Sequence, residues 1–324
     1  MSLSPRSKRL FSVSIAIVLL GAIALWVDLR GVADALGLIS LQDLALLVAL
    51  SGVLIVVSVL KWRLFLRRLG IEAPLSRLIR LYVVGYFVNI FTPSFIGGDV
   101  VRSLYVGPNV DRAHAVSATF LERYTGIVAM LAMSLVAVVC SSVVTSQIRV
   151  FVVVISICAA LGTWIVFSGR LTRFAHSVGL HSKITAWCDR LYDGLVWGSR
   201  DRSLLVRALI LSLVFHLFTV VNTAAVGYAV GWSDIPWRGL MVVVPLILLV
   251  GAIPISPQGL GIQEGAFLFF LHSVGASTEQ ALAVAVILRA KSYLLAMLGG
   301  LLFIGLTGFS AGSKSSPAVD VLKG

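Results

Sequence analysis

Long apolar runs separated by short basic connections dominate this chain. Runs over residues 11–27, 43–60, 115–144, 150–167, 203–231 and 281–306 approach or exceed the roughly 20 residues a helix needs to cross a bilayer, and each predicts a spanning helix. Two further apolar segments, 81–110 and 240–275, are interrupted at their centres by Pro and Gly: FTPSFIGGD in the first, PISPQGLGIQEG in the second. A continuous helix is broken there, because Pro removes a backbone donor and Gly adds backbone entropy. Residues 168–202 alternate basic side chains with Phe174, Trp187, Leu191, Tyr192 and Trp197, which predicts an amphipathic helix lying on the cytoplasmic membrane surface. The tail, 309–324, is small and polar and predicts disorder.

Composition agrees with immersion in lipid. Charged residues make up 12% of the 324 residues and the mean hydropathy is +1.01, against about 25% charge in a soluble domain. No polar stretch is long enough to form a soluble domain, so residues 11–308 read as one membrane domain behind a cytoplasmic N-terminus at 1–10. The order of basic MSLSPRSKRL and then a 17-residue apolar run resembles a signal peptide, but no small-x-small cleavage pattern follows, and an uncleaved first span is expected.

The net charge of +12 does not point to nucleic acid, since the basic residues lie in loops between apolar runs rather than on one arm or face. Cys140 and Cys158 fall inside apolar runs and Cys188 in a basic loop, without CxxC spacing or a cluster with histidine. A disulfide scaffold, a metal site and a cofactor are therefore not expected.

The Lys/Arg census orients the chain. Arg6, Lys8 and Arg9 precede the first run; Lys61, Arg63, Arg67, Arg68, Arg77 and Arg80 follow the second. Arg170, Arg173, Lys183, Arg190, Arg200, Arg202 and Arg207 fill the connection before 203–231. All lie on one side if 81–110 enters and leaves by the same face; the opposite loops then hold only Arg30, Arg149 and Arg238 beside Asp28, Asp34, Asp43, Asp234 and Glu279. The same reasoning makes 240–275 a hairpin entering from outside and leaves both termini cytoplasmic. The expected fold is an all-α polytopic membrane protein of the inner or plasma membrane. It has six spanning helices and two re-entrant broken-helix hairpins, which are candidate inverted repeats.

Irregular backbone at membrane depth must be buried in protein or line a wet cavity, so both broken segments belong in the middle of the bundle. Their spacings correspond. Pro93 is followed at +4 by Gly97 and at +6 by Asp99, and Pro257 at +4 by Gly261 and at +7 by Glu264. Asp99 lies 24 residues before Arg123, and Glu264 lies 25 before Arg289. Each half thus reads as broken hairpin, acidic residue, then a helix with a cation inside it.

A lone charge at the bilayer centre costs about 2.5–3.5 kcal/mol on insertion scales, so intramembrane charges mark a site or a structural network. Glu122, Arg123, Arg289 and Lys291 sit inside apolar helical sequence, and Asp99 and Glu264 supply counter-charges. Glu122 and Arg123 are about 100° apart on a helix and must find different partners, while Arg102 can pair locally with Asp99. Guanidinium groups bind phosphate bidentately, and Gly97, Gly98, Gly259 and Gly261 allow backbone to approach a ligand closely. Carboxylates would hold the empty site neutral or carry protons. Asn89 and Gln263 flank the two breaks and complete the candidate substrate-binding set; His216 and Asn222 read first as interhelical hydrogen bonds.

These residues resemble the lysylphosphatidylglycerol synthase transmembrane, or flippase-like, family. The resemblance rests on N-x-x-x-P-x-x-x-G-G-D-x-x-R at Asn89 to Arg102, the Glu122-Arg123 pair, P-x-S-P-x-G-L-G-x-Q-E at Pro254 to Glu264, and the cationic last helix around Arg289. It implies a membrane domain that moves or handles lipids between leaflets. In bifunctional members this domain flips aminoacylated phosphatidylglycerol made by a separate C-terminal transferase domain. The chain ends at Gly324, so that domain is expected to be absent, and no catalytic residue is assigned. Other relatives look like handlers of polyisoprenoid-linked sugars or hopanoids. Tyr124-Thr125-Gly126 stands where relatives often carry a further acidic residue, which argues against a proton-coupling group there.

The leading expectation is a lipid flippase or transporter binding an anionic or aminoacylated lipid at a midplane site. No G-x-x-x-x-G-K-[ST] loop is present, so ATP hydrolysis is not expected. Two other classes stay open: a membrane-embedded lipid-modifying enzyme using Asp99, Glu122 and Glu264, and a non-transporting subunit of a lipid glycosyltransferase. The expected partners are membrane lipids and, in the last case, a lipid-modifying transferase docked on 168–202.

Overall fold

The computed structural model describes residues 29–92, 95–108, 110–178 and 182–308, which are helical with no strand among them. The first predicted span at 11–27, the N-terminus at 1–10, Pro93 and the tail at 309–324 lie outside the described residues. A short helix α1 (Leu29–Gly37) leads into α2 (Leu41–Arg68). A capping box starts α2: the Asp43 N–H donates to Ser40 Oγ, and the Ser40 N–H donates back to Asp43 at 2.9 Å. Next come α3 (Leu75–Ile90), α4 (Ile96–Tyr105), α5 (Arg112–Cys140) and α6 (Ser146–Phe167). α7 (Arg170–Ser177), α8 (Ser182–Ser199) and α9 (Arg202–Ala229) follow, then α10 (Trp237–Gly251), α11 (Ile262–His272) and α12 (Thr278–Gly308). Asp111 and Asp201 cap α5 and α9, accepting from the Ala113 and Leu204 N–H groups.

Five helices are long and apolar enough to cross a membrane: α2, α5, α6, α9 and α12 over Thr278–Ile304. They fall on five of the six predicted runs. The outermost of them, α6, buries only Ile148 and Val152 and exposes Val150, Phe151, Val153, Val154, Ile157, Leu161 and Trp164. A helix apolar on every side, with so little of it covered by protein, requires lipid as its solvent.

Both broken segments fold as helical hairpins. At the open end of the first, Arg77 Nη2 donates to the Tyr105 carbonyl at 3.0 Å. Near its tip the Gly98 N–H donates to Asn89 Oδ1 at 2.7 Å. α3 therefore runs antiparallel to α4. In the second hairpin Gly239 of α10 faces Val274, just past α11, while Gly251 lies against Gln263, so α10 and α11 pair in the same way. The first hairpin opens beside the start of α5. The second opens at the far end of α5, where Arg238 Nη1 donates to the Cys140 carbonyl at 3.3 Å. α5 is about 43 Å long at 1.5 Å per residue, so the hairpins enter the bundle from opposite ends. Their tips meet: the Gln258 N–H donates to the Thr92 carbonyl at 3.2 Å.

Close backbone approach sets the glycines at these crossings. A Cβ on Gly98 would lie 2.6 Å from the Gly85 carbonyl oxygen and 2.8 Å from Asn89 Oδ1. Gly98→Ala is expected to push α4 off α3 and cost about 1–3 kcal/mol, as overpacking does. The check is a lowered melting temperature of the detergent-solubilised protein; a melt equal to wild type would contradict this contact.

The remaining packing forms two apolar clusters. One centres on α10–α12 with parts of α5 and α9; the other on α2, α3 and the first half of α5. α12 spans both, bringing Gly299 and Gly300 onto Val83 and Phe87 of α3, as small residues do between membrane helices.

Three expectations change. The first hairpin starts at Leu75 rather than 81, because LSRLIR continues as helix with Leu78 buried and Arg77 reaching Tyr105. The single amphipathic helix over 168–202 is two helices, α7 and α8, and α8 packs on α5 through Gly194 against Ser117 and Gly198 against Leu121. Lys61, counted with the basic connection, lies inside α2 and is 4% exposed, because that helix continues to Arg68.

Candidate functional site

A cavity of about 440 Å³ lies where the hairpin tips meet, walled by α2, α3, α4, α5, α9, α10, α11 and α12. Of the residues singled out from sequence, Asn89, Gly98, Asp99, Arg102, Glu122, Arg123, Gln263, Glu264, Arg289 and Lys291 line it. Gly97, Gly259 and Gly261 do not line it and instead shape the tips. Gly259 and Gly261 have φ of +68° and +81°, a backbone region that side-chain-bearing residues rarely adopt.

On the first hairpin's side the charges form one connected cluster. Glu122 is 2% exposed; it accepts from Arg102 Nη2 at 2.6 Å and lies 3.3 Å from Lys61 Nζ. Asp99 takes a bidentate contact from Arg123, Nε and Nη2 each at 2.9 Å, and Arg102 Nη2 reaches it at 2.9 Å. Adjacent Glu122 and Arg123 thus do find different principal partners, as their angular separation requires. The Arg102 guanidinium is sandwiched between Trp62 and Tyr82, its Cζ 4.9 Å and 4.8 Å from the ring centroids. Aromatic faces replace part of the hydration it has lost.

On the second side the pairing repeats more simply. Arg289 Nε donates to Glu264 Oε1 at 2.6 Å, and Nη1 donates to the Gln258 carbonyl at 2.8 Å. The Gly261 N–H donates to Glu264 Oε2 at 2.7 Å, so Glu264 also caps α11. One arginine therefore holds the α11 carboxylate and the tip backbone together. Gln258 has φ +49°, the sole positive φ of a non-glycine among the described residues. That conformation costs about 1–3 kcal/mol and persists where the surroundings over-determine it. Here the Thr92 and Arg289 bonds do so.

Lys291 and His216 complete the wall. Lys291 Nζ donates to Asn222 Oδ1 at 3.0 Å, with no carboxylate within 4.0 Å among the described residues. His216 Nε2 donates to the Gly126 carbonyl at 2.9 Å, an interhelical bond between α9 and α5. The acidic and basic residues of each half come together, as Asp99–Arg123 and Glu264–Arg289, and Arg102 makes the local contact with Asp99 that its spacing allows.

Sequence reasoning missed four participants. Lys61 sits in LKWRLFL with a basic neighbour two residues on, but helical spacing puts it on one face with Ser58 and Phe65, both buried. Gln258 was hidden in a Pro/Gly loop. The aromatic sandwich of Trp62 and Tyr82 joins two elements whose approach no local pattern reveals.

These observations define a multi-pass helical membrane protein with a charged cavity closed by two opposed hairpin tips. The lysylphosphatidylglycerol synthase TM region family matches residues 10–300, and the chain belongs to that family. Among curated relatives, two proteins of Methanothermobacter thermautotrophicus, each named UPF0104 membrane protein, are similar at 24% identity. One match covers 80% of this chain and 82% of the relative; the other covers 93% and 96%.

Proposed function

We propose that the protein is a flippase-like lipid transporter that takes a lipid head group, anionic or aminoacylated, into the cavity between the hairpin tips. The observation that carries the reading is the cavity itself: eight ionisable side chains converge at the meeting point of two broken helices, inside a bundle whose outer surface is apolar. Placing so much charge at depth is costly unless it handles a polar group there. In this reading both hairpins are re-entrant, one from each face. The Asp99–Arg123 and Glu264–Arg289 pairs are then equivalent parts of an inverted repeat, an arrangement that puts substrate at the repeat interface. Separation of the tips would pass the head group from one leaflet to the other while the acyl chains stay in lipid.

Reconstitution into liposomes with a fluorescent-headed phospholipid tests the activity. Leaflet exchange faster than in protein-free vesicles is expected without ATP. Turnover of a lipid by the purified protein, with no exchange, would replace this reading by an enzyme; co-purification of a glycosyltransferase with neither would replace it by a partner subunit.

The reading also places the protein in the cell membrane with both termini cytoplasmic, and topology has its own check. A cysteine introduced at 145–149 is expected to react with an impermeant maleimide only from outside intact cells, and one at 108–112 only after permeabilisation. The reverse pattern, or equal labelling at both, would overturn the assigned orientation.

A further inference from the structure

The cavity's charges do not cancel. Lys61, Arg102, Arg123, Arg289 and Lys291 face Asp99, Glu122 and Glu264, so five positive charges meet three negative ones and two positive charges remain. Their placement is specific. The first hairpin's cluster holds three cations on two carboxylates, leaving one charge over. Arg289 and Glu264 balance each other. Lys291, on α12, carries the second surplus charge and donates to the neutral Asn222 oxygen.

Unused polar atoms accompany the surplus. Arg102, 2% exposed, has its Nη1 buried with no acceptor among the described residues. Arg123 uses Nε and Nη2 on Asp99 and stays 43% exposed. Gln258 Oε1 is buried with no donor among the described residues, on a residue 4% exposed that also lines the cavity. Buried polar atoms left without partners are rare in native proteins and here ask for a ligand that accepts from guanidinium and ammonium and donates one hydrogen bond.

Resting on the reading of the cavity as a lipid-head site, we propose that it selects a head group bearing two negative charges on phosphate, such as a lipid phosphomonoester or diphosphate, and disfavours a cationic aminoacylated head. The phosphate oxygens would bridge Lys291 on α12 to the surplus charge around Arg123 on α5, and a head-group hydroxyl, in lipids that carry one, would donate to Gln258. A lysyl-bearing head adds positive charge to a cavity that already holds an excess of it, and like charges in a low dielectric repel strongly. Arg289, fully engaged with Glu264 and the tip backbone, would position the tip rather than bind the anion.

Native mass spectrometry on the full-length protein in phosphatidylcholine nanodiscs, with acyl chains matched, tests this. The probes are phosphatidic acid, phosphatidylglycerol and lysylphosphatidylglycerol, with glycerol 3-phosphate as the soluble source of the same phosphate. The expected order follows negative charge, with phosphatidic acid above phosphatidylglycerol by about tenfold, the worth of one further charge-assisted hydrogen bond. Lysylphosphatidylglycerol is expected to be weakest. Lys291→Gln should bring phosphatidic acid down to the level of phosphatidylglycerol, while Lys291→Arg keeps the preference. Lysylphosphatidylglycerol binding as well as phosphatidylglycerol, or a preference unchanged in Lys291→Gln, overturns the charge selection and leaves lipid handling standing. Glycerol 3-phosphate binding as tightly as phosphatidic acid, or no probe lipid exceeding phosphatidylcholine, overturns the lipid-head reading and this inference with it.

Discussion

Glu122→Ala is expected to be among the most destabilising single substitutions in the bundle. The carboxylate is 2% exposed and is the counter-ion to Arg102 and Lys61, which are themselves 2% and 4% exposed. Its removal leaves Asp99 as the sole carboxylate for three cations, two of them out of reach of water. Breaking a buried pair by removing one partner costs about 3–5 kcal/mol, because the orphaned charge stays buried. The detergent-solubilised variant should lose its monodisperse elution or melt far below wild type. Lys61→Met combined with Glu122→Gln should lose less than the two single effects added, because the double change removes an opposite pair together. Near-wild-type stability of Glu122→Ala would mean that water or lipid reaches the cluster.

Arg289→Ala is expected to slow leaflet exchange tenfold or more, with a smaller loss of stability. Its guanidinium grips the α11 carboxylate and the Gln258 carbonyl at once. Without it the Thr92 bond alone is left to hold the Gln258 tip in its left-handed conformation, and the cavity wall at α11 loses its shape. Each 1.4 kcal/mol lost in positioning is about a factor of ten in rate, so a fall of tenfold or more is expected. Arg289→Lys should lose nearly as much, since a single ammonium does not reproduce a planar fork. Exchange retained in both variants would remove Arg289 from the mechanism.

Much of this architecture was legible from chain chemistry alone. Five helices long and apolar enough to span, among the described residues, follow from apolar runs, because lipid demands about 20 such residues and that demand is local. That Asp99 and Glu264 would offset intramembrane cations was legible because such a charge must find a counter-ion, and the two matched intervals put a cation in each half; which cation each carboxylate takes was not. What escaped is what depends on the angle at which helices meet. Lys61 looked like a topology signal because Arg63, Arg67 and Arg68 follow it, yet the continuing turn of α2 carries it to Glu122. Gln258 was unreadable because Pro257 and Gly259 announce a break but not which carbonyl Arg289 will take. The contact between Thr92 and Gln258 joins residues 166 apart, and no spacing within either hairpin encodes it. The split of 168–202 into α7 and α8 was similarly hidden, since basic and aromatic residues alternate through both helices without a visible interruption.

The central claim is that a head group passes between the two hairpin tips, which must therefore separate. The Thr92 and Gln258 backbones lie within hydrogen-bond distance, so a Thr92→Cys/Gln258→Cys pair can be joined by oxidation in proteoliposomes. Leaflet exchange should fall to the protein-free rate in the oxidised protein and return on reduction. Exchange that continues at the same rate with the tips covalently joined would contradict the account.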